Sequence, residues 1–257
     1  MVEMKSILNW IGGKSLLADK IVKRMPEHTC YVEPFAGAGW VFFRKDPSEV
    51  EILNDKNSDL VALYRCLQHH LEEFLKEFKW LLISREWWND FKSQMESNGL
   101  TDIQRAARFY YLQRLSFGGK VEGRSYGTTT TKPRGINLLR LEEELSAAHI
   151  RLNRVQIENL EYQDIITRYD RLHTFFFLDP PYYGVEYYYG KGMFSRDDYD
   201  VLRGLLSELQ GKFLLTLNDV PQIREIFKDF NIEPVTLKYS CSAGKRPEGK
   251  ELMISNY

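Results

Sequence analysis

Apolar residues fall along this chain in two different periods, and the change between them divides it. Cys30-Tyr31-Val32 and Val50 to Leu53 are short apolar runs closed by turn residues, the pattern of strands buried on both faces. From Ser58 the period lengthens. Leu60, Leu63, Leu67, Leu71, Phe74, Leu75 and Phe78 recur at helical spacing, which predicts amphipathic helix with Ser58 or Asp59 as its cap. A second helix is predicted from about Thr101, its cap, to Leu115. Phe117 to Ile136 carries five glycines and the run Thr128-Thr129-Thr130-Thr131, so it reads as a loop with room for a β-ribbon. Helix resumes near Asn137 and runs to His149. Strand and helix then alternate again: Val155 to Ile157, a helix from Tyr162, Thr174-Phe175-Phe176-Phe177-Leu178, a helix from Ser195 to Leu209, Lys212 to Leu217, and a helix after Pro221. Two closing strands, about Ile232 to Tyr239 and Glu251 to Asn256, flank a glycine- and lysine-bearing link and suggest a terminal hairpin.

This order predicts an α/β sheet interrupted by a helical insertion over roughly residues 61–149. Its most informative point is Asp179-Pro180-Pro181-Tyr182, directly behind the aromatic strand. Two prolines cannot continue a ladder, so the chain turns outward at the carboxyl edge of the sheet, where open α/β folds bind ligands. The motif brings one carboxylate, two rigid carbonyls and one aromatic ring to that edge. Such a set suits a planar, amino-bearing base held beside a second substrate; as structure alone it is a proline-ended strand with a surface tyrosine.

Three further segments carry chemistry. In Asn9-Trp10-Ile11-Gly12-Gly13-Lys14-Ser15 the glycine that a nucleotide-triphosphate loop requires is replaced by Leu8. What remains is a turn offering the Lys14 cation and the face of Trp10, unless Trp10 is core. Glu33-Pro34-Phe35-Ala36-Gly37-Ala38-Gly39 lets a ligand approach the backbone closely, but Phe42 stands where the dinucleotide pattern needs glycine. Asp55, about twenty positions after the strand, either binds ribose hydroxyls or caps the helix near Ser58. A ribose-bearing ligand without pyrophosphate fits this set better than NAD.

Composition changes the picture in two places. The net charge of −1 hides a cluster: Arg105, Arg108, Arg114, Lys120, Arg124, Lys132, Arg134 and Arg140 stand against Glu122 alone between positions 105 and 140. That is a footprint for a phosphate backbone, or a solvated helix face balanced by Glu142, Glu143 and Glu144. Three scattered cysteines, Cys30, Cys66 and Cys241, argue against a disulfide framework or a zinc site, so no metal is expected. Met1 to Lys5 lacks a signal-peptide core, and no apolar run approaches the ~20 residues of a membrane span. The expectation is a soluble protein of a reducing cytoplasm.

Trp10-x-Gly-Gly-Lys14, Glu33-Pro-Phe-x-Gly-x-Gly39, Asn54-Asp55 and Asp179-Pro-Pro-Tyr182, in that order and spacing, resemble the Dam-like family of DNA adenine-N6 methyltransferases. The likeness runs from the first turn to the closing Glu251–Tyr257 segment, strong in the sheet portions and weak in the insertion. It implies a Rossmann-like methyltransferase sheet, mostly parallel with a terminal antiparallel hairpin. Residues 1–60 and 150–257 would form the catalytic domain and 61–149 a helical target-recognition insertion. It also implies S-adenosylmethionine as methyl donor, with Trp10 and Lys14 lining its pocket, Lys14 near the methionine carboxylate. Glu33, Pro34, Phe35 and Gly37 would wrap the methionine portion, Asp55 would take the ribose, and Asp179 would approach the cofactor. The acceptor implied is an adenine flipped out of double-stranded DNA, with Asp179 and the Pro180 carbonyl on its amine and Tyr182 stacked on its ring. Asn159 to Asp164 falls where relatives place residues around cofactor or base.

The sequence departs from the family mainly in the insertion. Relatives that read GATC carry Asn-Gly-x-x-Arg and a phenylalanine-rich segment, whereas here Arg114-Leu-Ser-Phe-Gly-Gly-Lys120 leads to Gly123-Arg124-Ser125-Tyr126-Gly127. Arg114, Lys120, Arg124, Lys132 and Arg134 are candidates for phosphate or guanine contacts. Asn9 replaces a lysine that touches DNA in many relatives, and Lys245-Arg246 matches a basic, phosphate-gripping turn. A methyltransferase acting on RNA or a protein amide, or a non-catalytic DNA-binding relative, are the competing readings. Action as a monomer is the default expectation.

Overall fold

The computed structural model describes residues 4–131, 135–190, 192–238 and 248–257. A short helix α1 (Ala18–Val22) precedes β1 (Cys30–Glu33), the brief helix α2 (Trp40–Arg44) and β2 (Val50–Asn54). The helices α3 (Ser58–His69), α4 (Leu71–Lys76), α5 (Arg85–Gln94), α6 (Asp102–Leu115) and α7 (Leu141–Leu152) follow. The chain then returns to β3 (Gln156–Glu158), α8 (Tyr162–Tyr169), β4 (Thr174–Leu178), α9 (Asp197–Ser207), β5 (Lys212–Asn218), α10 (Pro221–Ile226), β6 (Asn231–Lys238) and β7 (Glu248–Ser255).

The strands form one seven-stranded sheet in the order β3-β2-β1-β4-β5-β7-β6. Parallel pairing runs from β3 to β5, and β7 is antiparallel to both β5 and β6, which is the terminal hairpin the sequence predicts. Pro234 sits inside β6, where its missing N–H is tolerated because β6 is an edge strand.

Side-chain alternation along the central strands builds two cores, one on each face of the sheet. Tyr31, Leu53, Phe175, Phe177 and Leu214 join the face covered by α1, α2, α3, α6 and α7. Cys30, Val32, Ile52, Phe176, Leu178, Phe213 and Leu215 join the face covered by α8, α9 and α10. The aromatic run of β4 is buried at all its positions, as a strand covered on both sides must be. The apolar residues of the helical block, among them Phe74, Phe109, Leu112 and Leu145, belong to the same cluster as that first sheet face.

Several boundaries move. Thr101 does cap α6, closing a reciprocal capping box with Gln104. The cap of α3 is Asn57 rather than Ser58 or Asp59, its side chain accepting from the amides of Asp59 and Leu60. The long helical stretch breaks at His70, whose backbone leaves the helical region, and resumes as α4 with Phe74 and Phe78 still in the core. The last helix of the block starts at Leu141, not Asn137. Within 117–131 the β-ribbon reduces to a single antiparallel bridge, Ser116 with Tyr126, closed by Phe117 N–H to the Ser125 carbonyl at 2.9 Å.

Candidate active site

Every residue expected to line the cofactor pocket meets in one cleft at the carboxyl rim of the parallel strands. Trp10, Lys14, Glu33, Pro34, Phe35, Gly37, Asp55 and Asp179 border about 840 Å³ of free space, partly open to solvent. The topology accounts for this. β1 and β4 are adjacent and parallel, so Glu33 and Asp179 leave neighbouring strands at the same edge. β2 delivers Asn54 and Asp55 beside them.

Asp179 is the junction of the site. Its Oδ1 accepts from Lys14 Nζ at 2.6 Å and from the Thr216 hydroxyl at 2.9 Å. No donor among the described residues reaches Oδ2. Burial raises the Asp179 carboxyl, and Lys14 pulls it back down. Lys14 also donates to the Gly12 carbonyl at 2.9 Å and lies 4.7 Å from the centre of the Tyr182 ring. At 5% exposure this residue lines the cleft with its ammonium held between Asp179 and Tyr182.

The carbonyls behind Asp179 divide sharply. That of Pro181 accepts from Tyr199 at 2.8 Å, that of Tyr182 from the Val185 amide at 3.1 Å, and that of Tyr183 from Asn218 at 3.0 Å. The Pro180 carbonyl receives no donor from the described residues. Tyr182 is half-buried, its hydroxyl donating to Glu251 at 2.6 Å.

On the other wall, Asp55 accepts the Gly37 amide at 2.9 Å on one oxygen and the Asn57 amide at 2.9 Å on the other. It therefore braces the 36–39 turn and leaves the capping of α3 to Asn57. Gly37 has φ +48° and a Cβ there would meet the Trp10 ring at 3.0 Å, so the turn and the indole are packed to contact. Burial raises the Asp55 carboxyl against these two amide bonds. Glu33 accepts from the Tyr31 hydroxyl at 2.5 Å, and burial pushes its carboxyl up to about 8 despite that bond and the Lys45 charge. Tyr31 in turn lies beneath Lys45, which pairs with Glu51 at 2.6 Å, and Glu51 also binds Arg151 of α7.

Sequence reading missed part of the lining. Leu160, Glu161 and Tyr162 lie within the stretch after β3 that the resemblance marked without assigning. Val121, Tyr189 and Met193 come from segments with no motif. Tyr189 reaches the Ile11 carbonyl at 3.4 Å, and its phenol is raised by burial and by the charges of Asp179 and Asp55.

The basic candidates do not share one fate. Arg114 is 17% exposed, and its guanidinium donates to the carbonyls of Ile7 at 3.0 Å and Gly135 at 3.1 Å, so it ties segments together instead of facing outward. Arg105, Arg108, Arg114 and Arg140 each have a carboxylate within 4 Å, from Asp59, Glu77, Glu144 and Glu143. Those pairs remove much of the apparent excess charge. Lys120 lies over the Tyr188 ring and Arg124 over Phe109. Burial lowers Arg124, against the charges of Asp59 and Glu122. Lys132, Arg134, Lys245 and Arg246 lie outside the described residues.

Residues 10–241 match the family model for D12 class N6 adenine-specific DNA methyltransferases. The chain belongs to that family. A Type II methyltransferase of Lactococcus lactis subsp. cremoris, M1.LlaDCHI, is 26% identical, the alignment taking in 100% of this chain and 96% of the relative. Another, M.CviBI of Paramecium bursaria Chlorella virus NC1A, is 26% identical over 99% of this chain and 100% of the relative. The DNA adenine methylase of Escherichia coli K12 is 34% identical over 123 residues, 46% of this chain and 44% of that protein. An adenine-specific DNA methyltransferase of this class implies S-adenosylmethionine as its methyl donor.

The cleft suits that donor. With Glu33 protonated by burial, Asp55, Glu161 and Asp179 face Lys14, which pairs with Asp179, and Lys56, which pairs with Glu161, so the balance of charge on its walls favours a cationic ligand. The rings of Trp10, Phe35, Trp40 and Tyr162 supply π faces for a positively charged centre. Among the described residues no cluster of His, Cys, Asp and Glu is arranged to hold a metal ion, and no helix is long and apolar enough to cross a membrane.

Proposed function

We propose that this chain methylates the N6 amine of an adenine turned out of duplex DNA into the cleft, each chain acting as a monomer in the cytoplasm. The observation that carries the proposal is the pair of acceptors left without donors at one rim, Asp179 Oδ2 and the Pro180 carbonyl. An exocyclic amine has two N–H groups, and these two oxygens would take both.

S-adenosylmethionine, when bound, supplies an electrophilic methyl group on a sulfonium sulfur. Glu33 to Gly37 and Trp10 would hold its methionine portion and Asp55 its ribose, through lone pairs not used on Gly37 and Asn57. Asp179 and Pro180 orient the lone pair of the amine and stabilise the positive charge that grows on nitrogen. Lys14 favours the ionised form of Asp179 until then, and Asp179, raised by burial, would serve as the base for the proton the nitrogen must lose. Tyr182 stacks on the base.

Residues 61–149 would carry target recognition. The Ile11 amide donates to the Gly119 carbonyl at 3.0 Å, so the loop bearing Lys120 and Arg124 begins directly beside the Trp10 turn at the mouth of the cleft. Lys120 and Arg124, with Lys132, Arg134, Lys245 and Arg246, would meet phosphates or bases; Arg114 supports them from behind.

The test is methyl transfer from labelled cofactor to mixed-sequence duplex DNA, with RNA and peptide as competitors. Label in N6-methyladenine, lost in Asp179→Ala, is the expected result. Label in RNA or peptide at equal rate, or an unaffected Asp179→Ala, would overturn the reading.

A further inference from the structure

The segment that follows β4 is gripped from three elements that no motif marks. Tyr199 of α9 holds the Pro181 carbonyl. Asn218, at the end of β5, accepts the Tyr183 amide at 3.0 Å and donates to the Tyr183 carbonyl at 3.0 Å. Glu251 of β7 accepts the Tyr182 hydroxyl at 2.6 Å. Asn218 and Glu251 are register partners in the antiparallel β5–β7 pair, so their side chains rise on the same face of the sheet. This follows from the reversal of β7: an antiparallel strand enters the sheet at the rim where the parallel ones leave it, so a residue near its start is delivered to the site.

Glu251 is 3% exposed, and the residues after it, Leu252, Met253 and Ile254, are buried apolar residues of the kind a strand needs for packing alone. A carboxylate in such a place is costly unless its bonds serve a purpose. Its bond to Tyr182 has a consequence. A tyrosine ring fixed at its backbone keeps rotational freedom about its side-chain bonds; an anchor on the hydroxyl, which lies on the long axis of the ring, fixes where that axis points, and a cation over the face sets the plane about it. With Lys14 over the ring and Glu251 on the hydroxyl, the plane of Tyr182 is set before any base arrives.

We propose that Glu251 is a positioning residue for methyl transfer, which acts by orienting the Tyr182 ring for stacking on the acceptor base. This rests on the functional reading above.

Glu251→Leu, which has no acceptor, Tyr182→Phe and the double variant test it by single-turnover methyl transfer and cofactor binding. Each single change is expected to slow transfer about tenfold while cofactor affinity stays within about twofold. The double variant should be no slower than either single one, because both remove the same bond. Losses that multiply to about a hundredfold in the double variant, or a Glu251→Leu rate within about twofold of wild type, overturn the proposal. Should Glu251→Leu fail to fold, Tyr182→Phe decides alone, and a rate within about twofold of wild type refutes the idea. An unmodified chain that methylates no adenine would instead refute the functional reading itself.

Discussion

Gly118 and Gly119 form a controlled pair of substitutions at the mouth of the cleft. Their φ angles are +68° and +67°, so an alanine at either meets the same left-handed strain, about 1–2 kcal/mol. Their surroundings differ. A Cβ on Gly118 meets nothing within 4 Å, whereas one on Gly119 lies 2.7 Å from the Trp10 amide nitrogen and 2.9 Å from the Asn9 carbonyl carbon. Both of those are backbone atoms, which cannot swing aside as a side-chain tip does. Gly119→Ala therefore adds an overpacking cost of about 1–3 kcal/mol to the shared strain. It also threatens the bonds that the Gly119 carbonyl accepts from the Ile11 amide at 3.0 Å and Gln113 at 2.7 Å. Urea unfolding of both variants measures the difference directly, and methyl transfer shows whether the Trp10 turn has shifted. Gly119→Ala should be less stable than Gly118→Ala by at least ~1 kcal/mol, with the larger loss of activity. Equal stabilities would mean that the loop does not rest on the Trp10 backbone.

Further expectations follow from the same contacts. Because burial holds Glu33 at about 8 against an ordinary 4.5, the folded chain keeps a proton there that the unfolded chain has lost, so stability falls as pH rises between those values. Glu33→Gln cannot titrate and should flatten the fall in melting temperature across that window; parallel curves for the two proteins would contradict the assignment. Arg114→Ala should lower stability by about 1–3 kcal/mol, since the half-buried carbonyls of Ile7 and Gly135 lose their donor. Lys120→Ala should leave stability nearly unchanged and reduce the salt slope of DNA binding by about one; a salt-independent affinity in the unmodified protein would return these charges to a solvated face. Asp55→Ala should weaken cofactor binding about tenfold or more with little effect on DNA affinity, read by calorimetry and by DNA titration; an unchanged cofactor constant would remove Asp55 from the ribose.

Much of the sheet was legible because its signals are local. The aromatic run before Asp179 is buried on both faces, and its motif turns out at the rim that prolines demand. The alternation of the central strands between two cores is the same period read in three dimensions. What stayed hidden depends on contacts between distant segments. α5 carries polar residues over most of its length, and its apolar stripe of Trp87, Trp88, Phe91 and the adjoining Met95 is short; Ser84, which accepts the Trp87 amide at 3.1 Å, marks its start. No pattern shows that Lys14 pairs with Asp179 across 165 positions of chain, or that Arg114 faces inward, because charge in a sequence has no direction. Tyr189 and Glu251 likewise reach the site through the fold and not through a motif.

The helices between β2 and β3 share their core with one face of the sheet, and Arg151 of α7 is bound to Glu51 of β2. A helical block mounted this way cannot be exchanged wholesale without stripping the cleft of its foundation. Ile136 and Tyr126 of the segment between α6 and α7 pack into that same core, so even a graft confined to that segment has to carry its anchoring residues with it.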